Sequence, residues 1–172
     1  LEEIIVSATK RETSIQDIPM SVEAISGEAM ARQGIANFED LSTIVPSFKV
    51  GNGASGSTIS MRGMGTGANR AFEQSVAMFT DGVYMPRGRQ YVIPFVDLER
   101  VEVLRGPQAV MFGLNATAGS LSVHSAKNQP GDEFHASIKV DYETKYQSTK
   151  TTLVTGGSVG EDLGVRLVYQ NA

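Results

Sequence analysis

The sequence has no cysteine, no long apolar run and no cluster of basic residues, and each absence excludes a class of protein. Without cysteine there is no disulfide framework and no thiolate metal site. No apolar run reaches about 18 residues, so no transmembrane helix is predicted. The 15 basic residues are dispersed among 19 acidic ones, which makes nucleic acid a poor partner. No signal-peptide pattern follows Leu1, although such a peptide could have been removed.

What the sequence does contain suits a folded chain. With 172 residues, it is long enough for one domain, or for one domain and a fragment of another. Apolar residues make up 41% and charged residues 20%, so a core can form and disorder along the whole chain is not expected.

The first 18 residues are mostly polar, and their one continuous β-branched run is Ile4-Ile5-Val6. One interpretation is a frayed terminal strand, since chain ends are often poorly ordered. The other is a segment kept free so that another protein can pair with it as an added strand. The pattern alone leaves both open.

Residues 19–130 predict an α+β domain with long glycine-rich loops. Ser26 is placed to cap a short helix over 27–33 that Gly34 ends, and Asn37 with Asp40 predicts the start of a second helix. Strands are predicted at 19–25, 58–62, 76–79, 99–104 and 121–123. The Asp81-Gly82 pair predicts a tight turn, and one helical turn is predicted near 109–112.

Residues 131–172 change to a period-two pattern. Apolar positions 134, 136, 138, 140 and 142 alternate with polar ones, and positions 165, 167 and 169 repeat the pattern. Such alternation is typical of an outer-membrane barrel, and also of any half-buried antiparallel sheet. A spanning strand needs about 9–11 residues, so three or four strands fit here, whereas the smallest barrels need about eight. If these strands belong to a barrel, the segment can supply only part of it, and a half-buried antiparallel sheet remains the alternative on this pattern alone.

Two features that could suggest an active site have simpler explanations. His124 and His135 lie on strand-like segments without an obvious third ligand, so ordinary strand positions are favoured over a metal site. The glycine-rich run at 63–67 follows a strand but is followed by a poor helix start. The sequence also lacks the lysine motif of a phosphate-binding loop. We therefore predict no catalytic residue, no metal and no cofactor.

One ordered set of motifs carries the strongest signal. RGMG at 62–65 is followed by DGVY at 81–84, DLERVEVLRGPQ at 97–108, FGLNATAG at 112–119 and a closing strand. In order and spacing this resembles the plug domain of TonB-dependent outer-membrane receptors, and EIIVSA at 3–8 resembles the family's TonB box. Two segments, 109–112 and 120–124, depart modestly from the family pattern without putting the fold in doubt.

The resemblance implies an organisation and a set of roles. The chain would comprise an N-terminal segment with the TonB box (1–18), a plug with a small mixed sheet (19–130) and truncated barrel strands (131–172). In the family, arginines at the positions of Arg62 and Arg105 pair with barrel glutamates, although local pairing with Glu99 or Glu102 is the alternative. The periplasmic partner would be the TonB C-terminal domain, and its expected binding residues are Glu3, Ile4, Ile5, Val6, Ser7 and Ala8.

The implied function is active import of a scarce nutrient across the outer membrane, without a chemical step. The loops after the Arg62 and Asp81 turns would form the ligand-binding apex, on the expectation that both turns reverse the chain at the same end of the sheet. Their excess of arginine favours an anionic ligand such as a ferric siderophore, although solvated loop arginines are equally compatible with the pattern. The expected ligand contacts are Arg70, Tyr84, Arg87, Arg89 and Tyr91.

Other ligands and other classes of function stay open. Cobalamin, haem and oligosaccharides are alternative cargoes. An α+β adhesion or binding module would share the loops but would have no use for the segment at 3–8. A nucleotide-dependent enzyme would have to use the glycine run at 63–67 and would bind nucleotide saturably.

Overall fold

A computed structural model of the protein describes residues 5–6, 13–14, 21–53, 56–67, 73–91, 94–107, 116–145 and 147–171. The chain forms two compact units, residues 1–125 and 126–172. The predicted boundary at 130/131 therefore falls inside the second unit. The helical turn predicted near 109–112 lies outside the described residues.

The first unit contains ten strands and two α-helices among its described residues, with one 3-10 helix at Gly88–Tyr91. In chain order they are β1 (Ile5–Val6), β2 (Thr13–Ser14), β3 (Ser21–Ser26), α1 (Gly27–Gln33), α2 (Phe38–Ile44), β4 (Phe48–Gly53), β5 (Gly56–Met61), β6 (Met64–Gly65), β7 (Val76–Thr80), β8 (Val83–Met85), β9 (Leu98–Arg105) and β10 (Gly119–Ser125).

The main sheet of this unit has five strands in the order β3-β9-β10-β7-β8. Strands β7 and β10 are parallel, and the other neighbours are antiparallel, so the sheet is mixed. Strands β4, β5 and β6 form a separate antiparallel sheet, and β1 pairs with β2. The predicted fold class, a small mixed sheet with short helices, is confirmed.

Both helices begin and end where the capping residues predict. The Ser26 side chain accepts a hydrogen bond from the Ala29 amide, and Gly34 ends α1 in the left-handed conformation at φ 69°. The Asn37 side chain accepts from the Asp40 amide at 2.9 Å, while the Asp40 carboxylate accepts from the Ala36 amide. This exchange resembles a capping box, displaced by one residue, and satisfies amides that a helix leaves unpaired.

The core lies on one face of the main sheet. Cross-strand neighbours Val103, Leu121 and Met78 are fully buried on that face. Helix α2 and the sheet of β4, β5 and β6, here called the second sheet, contribute further large buried side chains, namely Phe38, Leu41, Phe48, Ile59 and Met61. Burial of these apolar groups is the main favourable term in folding the unit.

The second unit is an antiparallel sheet of β11 (His135–Glu143), β12 (Ser148–Val159) and β13 (Leu163–Asn171). The predicted alternation is confirmed: Ile138, Leu153 and Leu167 belong to one face and are 41–69% exposed. Within the described part of the chain, no helix is long and apolar enough to cross a membrane.

Candidate functional site

Of the predicted site residues, Arg62, Arg87, Tyr91 and Arg105 lie at one end of the main sheet. We call it the Val76 end, because β7 begins there at Val76, beside the start of β10 at Gly119 and the end of β9 at Arg105. The segment 73–75 leads into β7 at this end. The segment 86–91 follows β8, whose Met85 pairs with Met78. Two of the predicted ligand loops therefore meet at this end.

The Asp81-Gly82 turn lies at the opposite end of the sheet, and this corrects the expectation that both turns share one end. The Asp81 carboxylate accepts hydrogen bonds from the amide and hydroxyl of Ser125, at the far end of β10. The Arg62-Gly63 turn instead places the Arg62 guanidinium next to Gly106, which follows β9. Each turn joins two antiparallel strands through residues of positive φ, as two-residue hairpins require.

Arg105 has a local counter-ion that is neither a barrel glutamate nor one of the two local acidic residues predicted for it. Its guanidinium forms an ion pair with Glu23 of β3 and donates to the Ser21 hydroxyl at 3.3 Å. The local partners predicted for it, Glu99 and Glu102, both bind Arg100 instead. Glu23 was missed because it lies 82 residues away, and only the strand register brings it close.

Arg62 differs from Arg105 in its surroundings. Its side chain is exposed and forms no ion pair with any residue in the described part of the chain, while its amide donates to the Ser47 carbonyl at 2.8 Å. Its φ of 52° belongs to the turn. Of the two arginines expected to contact glutamates outside this segment, Arg62 is therefore the one with its charge directed to solvent.

Tyr91 is part of the core rather than of the surface. Its side chain is 3% exposed, and its hydroxyl donates to the Val76 carbonyl at 3.0 Å. Burial raises the pKa of the Tyr91 hydroxyl above its usual range, and the neighbouring Tyr84 adds to the shift. This burial argues against the predicted ligand contact, and Tyr91 fixes the 3-10 segment to the start of β7.

The segment around Arg87 is held in shape by its own side chains. The Gln90 side chain accepts from the Arg87 amide at 2.8 Å and donates to the Met85 sulfur at 3.3 Å. The Gln90 amide in turn donates to the Arg87 carbonyl. Arg87 is therefore an exposed cation on an ordered loop, which lowers the entropic cost of a contact there.

The remaining predicted contacts are less fully defined. Tyr84 lies on β8 and is half-buried, with its ring 5.5 Å from that of Phe79. The side chain of Arg89 lies outside the described part, as does all of Arg70. In the N-terminal segment the backbone of Ile5 and Val6 is described, whereas Glu3, Ile4, Ser7 and Ala8 are not.

A buried charged group on the face opposite the core was also missed. The Glu102 carboxylate is fully buried, accepts from Arg100 Nε at 2.8 Å and lies 3.3 Å from His124 Nε2 without a hydrogen bond to it. A carboxylate without solvent needs such a partner. The described residues contain no group of three acidic, His or Cys side chains arranged to hold a metal ion.

Comparison with known proteins identifies the family. A family model described as the TonB-dependent Receptor Plug Domain matches residues 14–120. The iron-regulated outer membrane virulence protein of Vibrio cholerae is 28% identical in an alignment of 135 residues that covers 74% of this chain and 20% of that protein. The ferrichrome outer membrane transporter/phage receptor of Escherichia coli is 28% identical in an alignment of 127 residues that covers 70% of this chain and 16% of that protein.

Solved structures show the same fold. The ferric yersiniabactin uptake receptor FyuA from Yersinia pestis matches with a TM-score of 0.74 at 23% identity, covering 88% of this chain and 24% of that one. The pyoverdine outer membrane receptor FpvA from Pseudomonas aeruginosa matches with a TM-score of 0.76 at 18% identity, covering 95% and 24%.

The chain belongs to the TonB-dependent receptor plug-domain family, as predicted. It spans about a fifth of the length of the curated relatives it matches. Those relatives are outer-membrane receptors, and the predicted outer-membrane location is confirmed.

We predict that Glu23→Gln lowers the free energy of unfolding by about 1–2 kcal/mol, because Arg105 loses a charged partner in a largely buried position. Glu28→Gln is the matched control: its pair with Arg32 is exposed, and its loss should cost about 0.5 kcal/mol or less. Denaturant unfolding of the chain measures both, and equal losses would contradict a special role for Glu23.

We also predict that Tyr91 makes stability depend on alkaline pH. The pKa of the Tyr91 hydroxyl is raised in the folded state. Its contribution to the free energy of unfolding is therefore complete below about pH 10, the ordinary pKa of tyrosine, and is lost as pH rises further. Tyr91→Phe should flatten that decline and cost about 0.5–1.5 kcal/mol at neutral pH. Tyr169→Phe, at an exposed position, should change neither quantity in unfolding measurements. An unchanged alkaline slope in Tyr91→Phe would refute the assignment.

Proposed function

We propose that this chain is the plug and the first barrel strands of a receptor that imports an iron chelate across the outer membrane, driven by TonB. The observation that carries the proposal is the plug-family match over residues 14–120. The names of the relatives support the cargo class: they include a hemin receptor from Yersinia pestis and the ferrichrome transporter of Escherichia coli. These relatives are receptors and transporters, which supports a function without a catalytic step.

The Val76 end is the proposed ligand surface. Arg62 and Arg87 are exposed there, and the acidic residue nearest to Arg105 is already engaged by it. Guanidinium groups suit an anionic chelate because they pair with carboxylate oxygens and stack on flat groups. We keep Arg70, Tyr84, Arg87 and Arg89 as proposed contacts, and a ferric siderophore as the cargo. Haem, cobalamin and oligosaccharides are the alternatives within the same transport mechanism.

The proposed docking site for the TonB C-terminal domain is the segment 3–8. In the structure Ile5 and Val6 pair antiparallel with Ser14 and Thr13, so these two residues already adopt a strand. Another strand can pair with this β-strand backbone through main-chain hydrogen bonds. An adhesion module of the same fold would have no need of this segment, and it would not be retained by immobilised TonB C-terminal domain.

Ile5→Pro should abolish uptake by the full-length receptor while leaving ligand binding intact, because proline removes the amide that an added strand uses. Ile5→Val is the control, since it keeps both the amide and the β-branched side chain, and it should transport at the parent rate. Normal uptake by Ile5→Pro would show that the segment is not the docking strand.

The cargo class can be tested through charge. If the ligand is anionic, Arg87→Ala with Arg89→Ala should weaken its binding, and added salt should weaken binding to the parent receptor. Arg32→Ala, which removes an exposed arginine of α1, should leave affinity unchanged. Titration of the full-length receptor with a ferric siderophore and with a neutral oligosaccharide gives the comparison. Salt-independent binding with both arginines dispensable would favour the carbohydrate.

A further inference from the structure

The segment that precedes β11 packs on the sheet of β11, β12 and β13. Cross-strand partners His135, Gly156 and Arg166 form one row on the polar face of β11, β12 and β13, opposite the apolar face. Residues 126–134 belong to the same unit as these strands. Their contacts with the polar row show how the chain enters the sheet.

A tight turn shapes this segment. The Asp132 amide donates to the Gln129 carbonyl at 3.1 Å, with Pro130 and Gly131 at the two central positions. Gly131 has a φ of 91°, so the sequence fits a type II turn. The Asp132 carboxylate also accepts from the Gln129 amide at 2.7 Å, which closes the turn a second time.

Two glycines allow the segment to lie directly on the sheet. A Cβ atom on Gly164 would be 2.1 Å from the Asn128 carbonyl oxygen, and one on Gly156 would be 2.6 Å from Asn128 Oδ1. Any side chain at position 164 would displace the backbone of 128–129. The segment can therefore approach the sheet this closely only because glycine has no side chain at these positions. Glycine is the residue that allows two backbones to pack directly against each other.

Polar contacts hold the segment at both of its ends. Arg166 Nη1 donates to Asn128 Oδ1 at 3.1 Å and lies 3.0 Å from His135 Nε2. At the other end the Gly131 amide donates to the Ser158 hydroxyl, and the Ser158 amide donates to the Asp132 carbonyl, both at 3.0 Å. One of these contacts, from the Ser158 amide to the Asp132 carbonyl, joins two backbone groups and so does not depend on a side chain.

We propose that residues 128–132 are a fixed anchor on β12 and β13, which stays in place while the receptor works. Any displacement of the plug during uptake is then taken up on the N-terminal side of Asn128. The placement of that displacement rests on the proposed transport function, whereas the existence of the anchor does not. The anchor keeps the C-terminal end of the plug attached whichever way the plug rearranges.

Amide hydrogen exchange on the full-length receptor tests the anchor. The amides of Gly131, Asp132 and Ser158 should be protected in the parent, and Gly164→Ala should speed their exchange about tenfold or more by pushing the segment off the sheet. Gly67→Ala is the control, because a Cβ there meets no atom within 4 Å. Protection unchanged in Gly164→Ala, or absent in the parent, would overturn the anchor.

A reversible cross-link tests whether the anchor stays in place during uptake. Asn128 Cγ, the position that a cysteine sulfur would take, lies 3.1 Å from the Cβ position of Gly156, so a disulfide can join the two positions, and residues 1–172 contain no other cysteine. Asn128→Cys with Gly156→Cys should form the bond on oxidation, and uptake should be the same before and after reduction. The single Gly156→Cys variant controls for crowding against the Val165 carbonyl.

The outcomes separate the two claims. Uptake that is lost on oxidation and restored by reductant would overturn the fixed anchor, and failure of the disulfide to form would overturn its geometry. If the parent receptor imports none of the tested chelates, the proposed function fails, while exchange and cross-linking still decide whether the anchor exists.

Discussion

Strand β9 is the element that joins the edge strand β3 to the rest of the main sheet, because it is hydrogen-bonded to β3 on one side and to β10 on the other. At its end it packs against Gly119, where a Cβ would lie 2.4 Å from the Leu104 carbonyl and 2.5 Å from the Met61 sulfur. The main sheet and the second sheet therefore approach each other at a position where a side chain has no room. This contact fixes the geometry of the Val76 end.

The charges follow from the same register. β9 carries Arg105 on the core side and Glu102 on the other, and each is paired within the plug. The family resemblance predicts that Arg105 contacts a glutamate outside this segment, and Glu23 is a competitor for it. If Arg105 moved from Glu23 to that outside glutamate, the edge strand β3 would lose its ion pair. Because β3 follows the N-terminal segment, a contact made outside the plug would then affect the strand nearest to that segment.

Local signals predicted the elements that depend on nearby residues. Ser26, Gly34 and Asn37 determine both helices, and the Asp81-Gly82 pair determines its hairpin, because caps and tight turns act over a few residues. Strands β4 and β6 were not predicted, since glycine-rich stretches lack the apolar alternation that identifies a strand. The family motifs supplied the order of the plug elements, which composition could not.

The site was harder to predict because its surroundings come from distant parts of the chain. Tyr91 lies in a polar stretch of sequence, yet the tertiary fold buries its side chain, and its hydroxyl donates a hydrogen bond to the Val76 carbonyl. The location of the Asp81 turn depends on β7 being parallel to β10, a pairing that no local pattern encodes. Arg87, by contrast, is exposed as its polar neighbours suggest.

We propose that this plug belongs to an importer of an iron chelate. The most direct measurement is uptake of radiolabelled iron, supplied as a panel of ferric siderophores, by a receptor-deletion strain carrying the full-length gene, with and without functional TonB. At least one chelate should enter only when both receptor and TonB are present. Uptake that does not require TonB, or a receptor that restores growth on cobalamin or an oligosaccharide but imports no ferric chelate, would contradict it.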